Sequence, residues 1–182
     1  MDLLSTLIKQ AQDLDEESFT RRHEGLYLLG QYPAPEEDMW SFSTDIRSFD
    51  HAPGAPRGLS STSQAPLVRF VLRVEKTDRN TWRRRISVGR ATNNDLIIRH
   101  ESVSKLHAHF HYGSNVRLDQ SHDATLMIDD VGSANGTRVN DRALKRDKPK
   151  AVHVTDRIAF GEIKCRLLDA TGLYHAIKGP TI

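Results

Sequence analysis

Apolar residues near the start of the chain recur at Leu3, Leu4, Leu7, Ile8, Ala11 and Leu14, spacings of one, three and four that make one stripe of a short amphipathic helix over 2–14. Asp13 to Ser18 interrupts the stripe. Phe19, Leu26, Leu28 and Leu29 then predict a second helical piece over 19–29, ended by Gly30 and the Pro33-Ala34-Pro35 stretch. Residues 31–66 are rich in Pro, Ser, Gly and acids, the composition of a linker. Trp40, Phe42, Ile46 and Phe49 break its polarity, so parts of it suit docking on another surface.

From Leu67 the pattern changes to short β-type runs with turn residues between them. Leu67 to Val74 opens the series. Further strand-like pieces fall near 84–88, 95–98, 107–112, 115–118, 125–129, 137–139, 151–154, 157–160 and 163–168, with turns such as Asn93-Asn94-Asp95 and Gly113-Ser114-Asn115. Many short strands at close spacing predict an all-β sandwich, because each strand has one face to bury against a second sheet. Leu173, Tyr174 and Ile177 share a face of a short helix over 170–178. The pattern thus divides the chain into a helical extension (1–30), an acidic Pro/Ser-rich linker (31–66), a β-domain (67–169) and a short C-terminal helix with a tail (170–182).

Charge sharpens this division. Residues 1–66 hold 5 Lys/Arg against 11 Asp/Glu, whereas residues 67–182 hold 21 against 13. A net +8 half favours an anionic partner: a phosphorylated peptide, nucleic acid, or the chain's own acidic segment. The single cysteine, Cys165, cannot form an internal disulfide. Met1 to Gln10 lacks the basic and apolar regions of a signal peptide, and no apolar run approaches the roughly 18 residues of a membrane span. A cytoplasmic protein without a membrane segment is the expectation.

The motifs narrow the partner. Val88-Gly89-Arg90, Asn94-Asp95-Leu96-Ile97-Ile98, Val103-Ser104-Lys105-Leu106-His107-Ala108 and Ser133-Ala134-Asn135-Gly136-Thr137-Arg138-Val139-Asn140 follow one another in order, closed by Asp156-Arg157-Ile158-Ala159-Phe160-Gly161. A guanidinium, a hydroxyl and an ammonium on loops are the donors that match the acceptor oxygens of a phosphate dianion. In this order the motifs resemble the forkhead-associated (FHA) domain, a reader of phosphothreonine, over roughly residues 67–169. The resemblance implies a SMAD/FHA-like β-sandwich whose loops at one end form the phosphopeptide site.

By the same resemblance Arg90, Ser104 and Lys105 contact the phosphate and Asn135 bonds the ligand backbone just after the phosphothreonine. Gly89, His107, Gly136 and Thr137 support the site, His107 as a structural histidine that holds the binding loops. Ser102, Arg99 and Ala134 are candidates for setting preference around the phosphothreonine. Three positions depart from the family pattern: Lys105 stands where Arg or Asn is common, Ala134 where Thr is common, and Thr155 where Gly is usual. Lysine supplies charge without the planar fork of arginine.

Other readings weigh less. His107, His109 and His111 alternate along one strand, but no Cys or carboxylate cluster completes a zinc set, so neither metal nor cofactor is expected. His109 and His111 are expected to be an exposed or half-buried pair. Ser104 and His107, three apart, give no sign of a catalytic triad, and no nucleophile elbow, P-loop or His-Glu-x-x-His motif occurs, so the chain reads as no enzyme. Trp82 beside Arg83, Arg84 and Arg85 suits nucleic acid, yet single-strand binders use several exposed aromatics and this stretch has one. A scaffold of the same fold without phosphate dependence, inside a larger assembly such as one for secretion, is the further alternative. The reading that results is a phosphothreonine-binding adaptor of a Ser/Thr-kinase pathway. Thr20, Thr44 and Thr62 in the acidic half offer it an intramolecular ligand once phosphorylated.

Overall fold

The computed structural model describes residues 3–33, 67–113 and 125–179. The apolar stripe of the first residues forms α1 (Leu3–Asp13), which buries Leu7 and Ala11. Helix α2 (Glu16–Arg22) starts at Asp15, whose carboxylate accepts from the Ser18 N–H at 2.8 Å, and carries Glu16 and Glu17 in its first turn and Arg21 and Arg22 in its last. Both ends therefore complement the helix dipole.

The helix expected over 19–29 stops at Arg22. After Gly25, at φ +141°, the chain enters strand β1 (Leu26–Pro33). Leu26-Tyr27-Leu28-Leu29 is a short continuous apolar run, which periodicity cannot assign to helix or strand. The tertiary partners decide it: β1 pairs antiparallel with β2 (Leu67–Arg73) on one side and β11 (Ile163–Asp169) on the other. Gly30 does not end a helix. It lies in the strand under the Phe70 ring and the Cys165 sulfur, where an added Cβ would collide. Strand β1 thus belongs to the sandwich although it falls within the span read as an extension and linker.

The strands β3 (Ile86–Gly89), β4 (Leu96–Ile97), β5 (Ala108–Tyr112), β6 (Leu126–Asp130), β7 (Thr137–Val139), β9 (Lys150–Val152) and β10 (Arg157–Phe160) fall at or within two residues of the expected places, and a short β8 (Arg142–Ala143), which pairs back on β7, lies where no strand was expected. One sheet runs β2-β1-β11-β10-β7-β8 and the other β4-β3-β5-β6-β9. Among the described residues all pairings are antiparallel except β3 with β4. The expected strand at 115–118, the apolar residues Trp40, Phe42, Ile46 and Phe49, and Thr44 and Thr62 lie outside the described residues.

Two apolar layers hold this together. Leu28, Val88, Phe110, Ile128, Phe160 and Leu167 fill the space between the sheets. On the outer face of the first sheet, Tyr27, Val71 and Leu168 are covered by Phe19 of α2, α1, and Leu173 and Ile177 of α3 (Ala170–Lys178). Helix α3 is capped by Asp169, which accepts from the Gly172 N–H at 2.7 Å, as a strand-to-helix junction requires. The architecture is helices on a β-sandwich, with the expected N- and C-terminal helices packed on one another: Thr20 Oγ1 lies 3.4 Å from Thr171 Oγ1.

Candidate functional site

The loops after β3, before β5 and after β6 meet at one end of the sandwich. Beyond the β3 end, the Arg90 N–H donates to the Ser104 carbonyl at 3.0 Å, the Ala91 N–H donates to the Lys105 carbonyl at 3.3 Å, and the His107 N–H donates to the Val88 carbonyl at 2.8 Å. Gly89 permits this approach, because a Cβ there would run into the Lys105 carbonyl. Asn94, buried at the base, donates its amide to the carbonyls of Ala91 at 2.9 Å and Lys105 at 2.6 Å. Arg90 and Lys105 are exposed, and among the described residues their side chains have no ion-pair or hydrogen-bond partner.

Ser104 links this pair to the third loop. Its hydroxyl oxygen accepts from the Ala134 N–H at 3.0 Å, so the hydroxyl proton remains to be donated outward. Position 134 therefore contributes through its backbone, and alanine costs the site a side-chain donor but not this contact. Asn135 donates its amide to the Ser102 carbonyl at 2.8 Å, which leaves the amide oxygen as the group able to accept from a ligand N–H. Gly136 turns the chain at φ +75°, a conformation that favours glycine, with open space where a Cβ would stand.

His107 sits under the loops, fully buried against the Phe160 ring at 5.7 Å. Its Nδ1 accepts from the Ser104 N–H at 3.1 Å, which places the ring proton on Nε2, 3.2 Å from the Gly136 carbonyl it donates to. One imidazole thereby fixes the spacing between the Ser104 and Gly136 loops. Burial pushes its pKa below the ordinary histidine value against the opposing pull of the Gly136 bond and the Asp130 charge, so the neutral ring is favoured.

Asp130 is the support residue that the motifs did not reveal. Its carboxylate accepts from the Gly132 N–H at 2.8 Å, the Ser133 N–H at 2.9 Å, the Ser133 hydroxyl at 2.7 Å and the Thr137 hydroxyl at 2.7 Å. Burial alone would raise its pKa, yet these bonds hold it below the usual carboxylate value. Thr137 supports the site through this bond, not by facing it. An Asp that ends a strand before Gly and Ser is a capping signal that short-range reading can find. Asp95, in the Asn94-Asp95 motif, has the same role a layer further out, accepting from Lys76, Thr77, Asn80 and Ser87.

The three candidates for flanking preference divide. Ser102 is buried: its hydroxyl lies 2.8 Å from His100 Nδ1 and accepts from the Glu162 N–H at 3.1 Å, so its side chain is committed to the loop's own fold. Arg99 and Ala134 are exposed beside the pocket loops. The histidine strand also resolves. His107 precedes β5, whereas His109 and His111 share its outer face, with His109 buried under the Trp82 ring at 5.0 Å rather than exposed or half-buried. Among the described residues no group of three or more His, Cys, Asp or Glu is placed to hold a metal ion.

Residues 86–161 match the family model of the FHA domain. A curated Caenorhabditis elegans protein, germ layers disorganized gldi-3, is 32% identical over 84 residues, and the chain spans 8% of its length. Among solved structures, the MEK1 FHA domain in complex with the HOP1 pThr318 peptide is 26% identical over 48% of this chain and 81% of that one, with a TM-score of 0.41. The FHA domain of CT664 from Chlamydia trachomatis is 18% identical, covering 80% of this chain and 98% of that one, with a TM-score of 0.43.

Proposed function

We propose, for a chain that carries an FHA domain at residues 86–161, that the pocket formed by Arg90, Ser104, Lys105 and Asn135 binds phosphothreonine in a partner protein and that the chain serves as an adaptor in Ser/Thr-kinase signalling. One observation carries the reading. The Ser104 hydroxyl oxygen accepts from the Ala134 N–H, so its proton remains to be donated, and the Arg90 N–H donates to the Ser104 carbonyl, which ties the hydroxyl to the residue that carries the exposed guanidinium. Such a preorganised donor set suits a dianion with three acceptor oxygens, and each charge-assisted bond contributes about 1.5–3 kcal/mol. Asn135 Oδ1 then accepts from the peptide backbone, fixing the direction in which the ligand crosses the loops.

The test is calorimetric titration of the full chain with a degenerate phosphothreonine peptide library, beside phosphoserine and unphosphorylated pools. The expected order is phosphothreonine first, by about fourfold over phosphoserine if the γ-methyl is buried at about 0.8 kcal/mol, with no binding to the unphosphorylated pool. Binding to none of the three would overturn the reading and favour the phosphate-independent scaffold.

A further inference from the structure

The outer face of the first sheet holds a second cluster of cations, made of residues other than those of the loop pocket. Register aligns Arg138 of β7, Ala159 of β10, Lys164 of β11, Gln31 of β1 and Arg69 of β2 in one row across the sheet. In the next row Arg157 and Arg166 stand directly opposite one another. Alternate residues Ile158, Cys165 and Leu167 point into the core, so these basic side chains all project outward. Neighbouring strands are about 5 Å apart and alternate residues about 7 Å, which puts Arg138, Arg157, Lys164 and Arg166 within a patch of about 12 Å.

Like charges directly opposite on adjacent strands are destabilising. The compensation is partial. Asp141 pairs with Arg157 at 2.6 Å and Arg69 donates to the Ala176 carbonyl at 3.3 Å, but Arg138, Lys164 and Arg166 have no side-chain partner among the described residues. The patch is also concave. These residues line a cavity of about 600 Å³ with Leu29 and Ala159 in its floor and Ala176 of α3 in its wall. That volume is in the range of small-ligand sites, about 300–1,000 Å³.

We propose that this cavity is a second anion site, taking a compact ligand that bears two or more phosphoryl groups. Guanidinium forks match phosphoryl oxygens, and several cations within about 12 Å call for several negative groups on one small molecule, since a lone carboxylate would meet one of them. Single-stranded nucleic acid fits less well. The exposed aromatics Trp82 and Tyr112 lie on the side of the second sheet, and among the described residues no aromatic lines the cavity for a base to stack on. The site stands apart from the phosphothreonine pocket, whose cations Arg90 and Lys105 sit on loops of the second sheet.

The experiment titrates the full chain with inorganic triphosphate, with a nucleoside triphosphate and with inositol hexakisphosphate, using inorganic monophosphate as the control. Saturable binding of at least one polyphosphate is expected, weakened about tenfold or more in a Lys164→Ala/Arg166→Ala variant and unchanged in Arg90→Ala. Whichever arm binds tightest tells a nucleotide from a phosphorylated polyol. The double variant should melt no lower than the parent, because it removes like-charge pairs. Absence of binding at millimolar polyphosphate, equal affinity in the double variant, or loss of binding in Arg90→Ala would each overturn the proposal.

Discussion

At the scale of single residues the proposed pocket separates exposed groups open to a ligand from groups that hold those groups in place. Arg90 is exposed and its side chain has no partner among the described residues, so Arg90→Ala should leave the melting temperature unchanged and weaken phosphopeptide binding about 10- to 150-fold, the value of one charge-assisted bond. Ser104→Ala is expected to do more than lose a donor. It also strips the acceptor of the Ala134 N–H, so binding and thermal stability should fall together. Calorimetry beside a thermal melt separates the two cases, and equal melting temperatures for parent and S104A would show that the Ser104–Ala134 link does not order the loops. The carboxylate of Asp130 lies one step further back, gathering four donors from Gly132 to Thr137 and so setting where Ala134 and Asn135 present themselves.

At the scale of elements, β1 is the strand whose loss should cost most. It separates β2 from β11 and contributes Leu28 to the core and Tyr27 to the helical layer. A chain starting at Ala65 is therefore expected to show no cooperative melt, even though it retains every residue proposed to contact phosphate. Leu28→Ala, the milder form of this test, should cost about 2–5 kcal/mol in denaturant unfolding, as for other fully buried leucines. The turn into β10 makes a different point. Thr155 lies at φ +77°, where a β-branched residue is strained, and this is the position at which the family usually has glycine. Relief of about 1–2 kcal/mol of backbone strain, less about 0.4–1 kcal/mol for the freer unfolded chain, leaves Thr155→Gly more stable by about 1 kcal/mol. A melting temperature lowered by this substitution would contradict the strain argument.

For the whole molecule, protonation couples the pocket to stability. Burial holds His107, His109 and His23 below the ordinary histidine pKa, so the unfolded chain binds their protons first as pH falls. Their stabilising contribution is complete above about pH 6.5 and is lost on descent from there through the lower folded-state values. Asp95, Asp130 and Asp156 carry hydrogen bonds that outweigh burial and hold their pKa values down, so a second loss follows below about pH 4. Melts recorded from about pH 8 to about pH 3 should show a midpoint that declines below about 6.5 and declines again below about 4. A flat midpoint between about pH 7 and about pH 5 would mean that the buried histidines do not titrate with unfolding. Protonation of His107 also removes its Nδ1 acceptor from the Ser104 N–H, so ligand binding should weaken only once the pH falls to the lowered pKa of the folded state.

Much of this protein is legible in the chain because the information is local. Turn glycines, Asn-Gly and the apolar stripes of 2–14 and 170–178 each act within a few residues, and the motif order was enough to single out the stretch 86–161 that matches the FHA model. The matters that the tertiary structure alone decided are long-range. Leu26–Leu29 reads in the chain as the end of a helix over 19–29, and becomes a strand because Leu67–Arg73 and Ile163–Asp169 offer edges on both sides. Ser102 reads as a ligand neighbour until His100 and Glu162 claim its hydroxyl. Arg138, Arg157, Lys164 and Arg166 are ordinary in sequence and become one cluster through strand register, which no spacing along the chain encodes. Local rules determine what each segment can become, whereas the choice among those forms belongs to the partner that buries its apolar face and completes its backbone hydrogen bonds.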